Sequence, residues 1–98
     1  MATFITAIHF TGEGIKEIGD TTKRATQIKS SGKKMGVKVT DIYWTLGNPD
    51  GYLIYDAPDD ETAAGFLVFL GSQGKVKTST VRAFTASEME KILDKSRG

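Results

Sequence analysis

The chain contains no cysteine in its 98 residues. Disulfides, thiolate metal sites and cysteine nucleophiles are therefore excluded, and their absence favours the cytoplasm over a secreted setting. Histidine is nearly as scarce: His9 is the only one, so no H-x-x-x-H ligand pair exists and no metal site is predicted. The net charge of +1 gives no broad field to steer a nucleic acid or an anionic membrane. No apolar run approaches the roughly 20 residues needed to span a bilayer. The opening MATFITAIHF lacks a basic lead and a long apolar stretch, so it does not read as a signal peptide.

What is present is an ordinary globular balance, with 39% hydrophobic and 26% charged residues. The length fits one domain over residues 1–98, large enough to bury a core. The charge is unevenly placed. Lys16, Lys23, Arg24, Lys29, Lys33, Lys34 and Lys38 crowd one third of the chain, and Asp41, Asp50, Asp56, Asp59, Asp60 and Glu61 follow with no basic residue among them. The plain reading is a solvated basic helix beside an acidic loop and helix start. The sharper one is electrostatic pairing between subunits.

The pattern predicts seven main elements. Thr3 to Thr11 is rich in β-branched and aromatic residues, apolar on both faces, and reads as a central strand ended by Gly12-Glu13-Gly14. Residues from about Ile15 to Met35 read as helix in two pieces. A cap at Asp20 or Thr21 opens the second piece, Ala25, Ile28 and Met35 form its thin buried stripe, and a kink is expected at Ser30-Ser31-Gly32. Val37 to Leu46 and Tyr52 to Asp56 form a hairpin around Gly47-Asn48-Pro49-Asp50-Gly51, a run that turn chemistry explains in full. Asp59 caps a helix to Leu70 with Ala63, Phe66, Leu67 and Leu70 at helical spacing. Val76 to Thr85 is the fourth strand, and Thr85 and Glu88 have capping-box spacing for a last helix to about Asp94. The order β-α-β-β-α-β-α is a ferredoxin-like split motif, an α+β fold with a four-stranded antiparallel sheet and an added C-terminal helix.

Two helices cover one face of such a sheet and leave the other open. Simple alternation along the second strand puts Val37, Val39, Asp41, Tyr43 and Thr45 on one side, and Lys38, Thr40, Ile42, Trp44 and Leu46 on the other. Both sides carry large apolar groups, which predicts that both are covered. The expected cover is a second copy, giving a homodimer through the open sheet face, a dimeric α+β barrel. Further assembly into a larger ring through sheet edges and charged helices is a third possibility.

The chain resembles the GYD-domain family of small dimeric α+β-barrel proteins. The resemblance runs over nearly the whole length. It rests on Phe10-Thr11-Gly12-Glu13-Gly14-Ile15-Lys16, Lys23-Arg24, Tyr43-Trp44-Thr45-Leu46-Gly47, Ala57-Pro58-Asp59-Asp60-Glu61 and Arg82-Ala83-Phe84. The family's Gly-x-Tyr-Asp turn is met by Gly47 and Asp50, but Pro49 stands at the tyrosine position. The resemblance implies the fold and dimerisation. It transfers no catalytic residue, because the family's biochemical role is undefined.

His9, Asp41, Tyr43, Asp56 and Arg82 are the candidates for a ligand cavity inside the barrel. Against each stands a structural reading: a packed strand histidine, or paired charges at a strand edge or dimer rim. Gly12-x-Gly14 lacks the third glycine and the Gly-Lys-Ser/Thr ending of a phosphate loop. The leading expectation is a cytoplasmic binding or assembly module that needs no cofactor. The alternative is a cofactor-independent or haem-binding enzyme acting on a small organic molecule in the barrel, which requires His9 to converge with a tyrosine or Arg82.

Overall fold

A computed structural model describes residues 1–98. Strands β1 (Ala2–Phe10), β2 (Lys38–Trp44), β3 (Gly51–Ala57) and β4 (Val76–Ala83) form one antiparallel sheet in the order β2-β3-β1-β4. Helices α1 (Gly12–Lys16), α2 (Thr21–Lys34) and α3 (Asp60–Ser72) make the connections, with a single 3-10 turn over Ile18–Asp20, and α4 (Ala86–Ser96) follows the last strand. This is the ferredoxin-like α+β arrangement that the sequence predicts, with β1 central.

The core lies between the sheet and α2 and α3. Even-numbered β1 residues and odd-numbered β3 residues share this face, because the register sets Phe4 opposite Tyr55 and Thr6 opposite Leu53. Phe4 stacks on Tyr55 at 5.7 Å between ring centres, and Tyr55 meets Phe66 of α3 edge-on at 5.2 Å. Ala63, Phe66 and Leu70 supply the buried stripe of α3, at the spacing read from the sequence. Two hydroxyls are fully buried among them, those of Thr6 and Tyr55, and they satisfy one another at 3.0 Å, with Thr80 Oγ1 2.8 Å from Thr6 Oγ1.

Three expectations need correction. The alternation assumed along β2 is broken by a bulge between Val39 and Asp41. The extra residue puts Val39 and Ile42, rather than alternate residues, against the core. The helix-facing and open sides of β2 therefore become distinct. Met35 is exposed, and the buried place falls to Val37 just beyond the helix end. Finally, α2 runs without interruption through Ser30-Ser31-Gly32. Gly32 is there for room: a Cβ on it would stand 3.2 Å from the Phe66 ring. Gly14 has a stronger version of the same reason, since its Cβ would lie 2.1 Å from the Lys75 carbonyl oxygen where α1 crosses the start of β4.

The final helix differs from the other two long ones. No residue of α4 is fully buried: Glu88, Ile92 and Leu93 are half-buried, the others are exposed, and the Arg82–Glu88 pair ties its first turn to β4. The molecule is accordingly long, 52 × 31 × 18 Å, with a radius of gyration of 14.8 Å, against about 13 Å for a compact chain of this length.

Candidate functional site

The open face of the sheet is laid out by the pairing in four rows. Lys38, Asp56, Thr3 and Ala83 form the first, and Asp41, Ile54, Ile5 and Val81 the second. Tyr43, Tyr52, Ala7 and Ser79 form the third, while His9 and Lys77 end the face. Its centre is apolar, and it is uncovered: Tyr43 is 56% exposed, Val81 60% and Tyr52 37%. Exposed aromatic and β-branched groups in one contiguous patch mark an interaction surface.

Four of the five cavity candidates lie on this face, but nothing gathers them around one point. Asp56 accepts a hydrogen bond from Thr3 Oγ1 at 2.7 Å. The Tyr43 hydroxyl reaches Asp41 Oδ1 at 3.4 Å. His9 Nε2 shares a hydrogen bond with Asn48 Oδ1 at 2.9 Å. Asp56 lies across from Thr3 at one end of β1 and His9 at the other, so the two are separated by roughly 20 Å along the strand. The fifth candidate, Arg82, does not join them. It stands opposite Phe4 in the register and therefore on the helix side.

Arg82 instead fixes the exit of the chain from the sheet. Its guanidinium lies 5.7 Å from the Phe4 ring centre and 4.5 Å from that of Phe84. It donates to the Thr3 carbonyl at 3.3 Å, to the Ala83 carbonyl, and to Glu88 Oε2 at 3.3 Å. Glu88 also closes the capping box of α4: it accepts from the Thr85 backbone N–H at 2.9 Å, and Thr85 Oγ1 accepts from the Glu88 N–H at 3.2 Å. These bonds, first from Thr85 and then from Arg82, hold the Glu88 carboxyl below its ordinary range. Asp59 at the start of α3 is lowered likewise, by hydrogen bonds from the Thr62 side chain and backbone.

The hairpin turn is tied to β1 by side chains whose partners the sequence does not reveal. Gly47 has φ +109, and the Asn48–Pro49 peptide is cis. Asp50 Oδ2 accepts from the Phe10 N–H at 2.8 Å, and the Asp50 N–H donates to the Ile8 carbonyl at 2.9 Å. The β1–β3 ladder stops at Ile8 opposite Gly51, and the Asp50 carboxylate takes the next donor beyond it. Gly51 must be glycine, since a Cβ would come within 2.5 Å of the Tyr43 carbonyl oxygen. The two matched positions of the family turn, Gly47 and Asp50, thus have backbone and strand-end roles. Pro49, in the tyrosine place, offers its carbonyl to the Thr45 hydroxyl. What sequence reasoning missed on the open face is its centre, Ile5, Ile54 and Val81, which only the pairing register brings together.

The molecule is thus a small α+β domain whose sheet has one face covered by helices and one open face with an apolar centre. The GYD domain family matches residues 4–93, and the chain belongs to that family. Among curated proteins it is similar to the glutamine synthetase and cystathionine beta-lyase binding protein of Thermus thermophilus, with 29% identity over 90 residues, covering 91% of this chain and 95% of that protein. No solved structure matches. No helix of the chain is long and apolar enough to cross a membrane.

Proposed function

We propose that the chain is a cytoplasmic protein-binding or assembly module, one domain over residues 1–98, that works as a homodimer with two open sheet faces packed together as an α+β barrel. The observation that carries this reading is the contiguous, uncovered apolar patch of Ile5, Tyr43, Tyr52, Ile54 and Val81. Burial of apolar surface at about 25 cal/mol per Å² drives such faces together. The name of the Thermus relative supports a role in binding other proteins, and its partners suggest enzymes of amino-acid metabolism as the clients to try first. Titration of purified glutamine synthetase and cystathionine beta-lyase from the source organism with this protein tests that role. Saturable binding to either is expected; the absence of binding to both would remove the support that the relative lends.

The alternative, an enzyme or haem binder with a small organic molecule in the barrel, draws on the same face. His9, Asp41, Tyr43 and Asp56 would all look into the barrel. Their separation and their engagement by Asn48, Thr3 and one another give that reading no shared centre.

A further inference from the structure

Resting on the sheet-to-sheet dimer proposed above, we propose that α4 is an exchanged arm: in the dimer it leaves its own subunit and docks in the groove between α2 and β2 of the second copy. The arm is incompletely covered in its own chain. Met89, Ile92 and Leu93 line one side of α4 at i, i+3 and i+4, yet Met89 is 43% exposed and neither Ile92 nor Leu93 is fully buried. An isolated helix of 11 residues is marginal in water. Arg82 and the capping box fix the point at which it leaves β4.

The sheet topology says where that exit leads. β2 and β4 are the two edge strands. When two such sheets stack face to face about a two-fold axis along the strands, left and right exchange, and β4 of each copy lies against β2 of the other. A rotation about that axis moves nothing along it, so row ends stay matched. Ala83, where β4 ends, stands in the same row as Lys38, where β2 begins. Each arm therefore departs beside the partner's Lys38.

An open groove of about 630 Å³ lies there, with Val37 and Val39 in its lining and Lys29, Lys33 and Lys38 around them. None of these lysines makes an ion pair within its own chain, and neither does Glu90 of α4, on the flank beside Leu93. An apolar stripe with an unpaired acid on its flank thus meets a groove where half-buried Val39 lies among unpaired bases. Each contact occurs twice, as two-fold symmetry requires. At about 1.5 Å per residue the 11-residue arm is roughly 16 Å long.

The cysteine-free chain makes the test direct. Lys33→Cys and Ile92→Cys variants, co-expressed and mildly oxidised, are expected to give a covalent dimer on a non-reducing gel. Leu46→Cys at the hairpin tip, paired with Ile92→Cys, is expected to give none. A noncovalent dimer by light scattering without the Lys33–Ile92 cross-link would overturn the exchanged arm and leave the sheet dimer standing; a monomer would overturn both. Ile92→Glu provides a second reading: at least tenfold weaker dimerisation with an unchanged monomer circular dichroism spectrum is expected. Lys33→Glu should weaken dimerisation and Glu90→Lys should restore it. Unchanged dimerisation in Ile92→Glu would contradict the proposal.

Discussion

The two faces of the sheet are made from the same strands, one residue apart, and they meet opposite fates. On the helix side, Phe4, Leu53 and Tyr55 close against Phe66 and Leu70 and leave no buried polar side chain without a partner. On the other side, Tyr43 and Val81 stand more than half exposed. The chemistry of the two sets is similar, with aromatic and β-branched groups in both. The difference is that α2 and α3 cover one and nothing in the chain covers the other. A single 98-residue chain has two long helices packed on its sheet, and its remaining long one, α4, has no fully buried residue. Hydrophobic content alone therefore does not say which residues hold the monomer together. Coverage does.

That comparison can be broken by substitution. The largest effect is expected at the centre of the covered face: Phe66→Ala should cost about 3–5 kcal/mol in denaturant unfolding, because the cavity opens beneath fully buried neighbours. Thr6→Val should cost about 1–3 kcal/mol by the same measurement, since it leaves the Tyr55 and Thr80 hydroxyls without their shared partner. On the open face, the pair Tyr43→Arg and Val81→Glu should leave the monomer fold intact by circular dichroism. It should weaken self-association at least tenfold, about 1.4 kcal/mol. If that pair unfolds the chain instead, the distinction between the faces fails.

The smallest effect is electrostatic and concerns helix starts. Asp59 and Glu88 both have carboxyls lowered by their capping bonds. A carboxyl lowered on folding binds protons less readily in the native state than in the unfolded one. Its stabilisation is present above the unfolded value and is lost as pH falls through the lowered folded value. Thermal melts should thus lose stability through the acid side of the ordinary carboxylate range, and Asp59→Asn should flatten that loss. A slope unaltered in Asp59→Asn would show that the cap is not responsible.

Much of the fold was legible because its cues are local. The α3 stripe, the Asp59 cap, the Thr85–Glu88 box and the turn residues of the hairpin each declare themselves within a few positions. The bulge beside Thr40 did not, since neither glycine nor proline marks it. With it went the correct facing of Val39 and Ile42. Gly14, Gly32 and Gly51 are explained only by distant atoms, a Lys75 carbonyl, a Phe66 ring and a Tyr43 carbonyl, so no window of sequence shows why they are small. For the candidate site the limit was register. His9, Asp41, Tyr43 and Asp56 share a face while Arg82 turns to the other, a matter of one residue in the pairing of β1 with β4. The anchoring of Asp50 to Phe10 was hidden for the same reason, the two partners standing 40 positions apart.

The central claim is that the uncovered face is covered by a second copy. Size-exclusion chromatography with light scattering at micromolar concentration measures it directly. The account predicts a species of twice the 10.6 kDa chain mass, shifted toward the single-chain mass by Tyr43→Arg with Val81→Glu. A clean 10.6 kDa monomer for the unaltered protein at that concentration would contradict it.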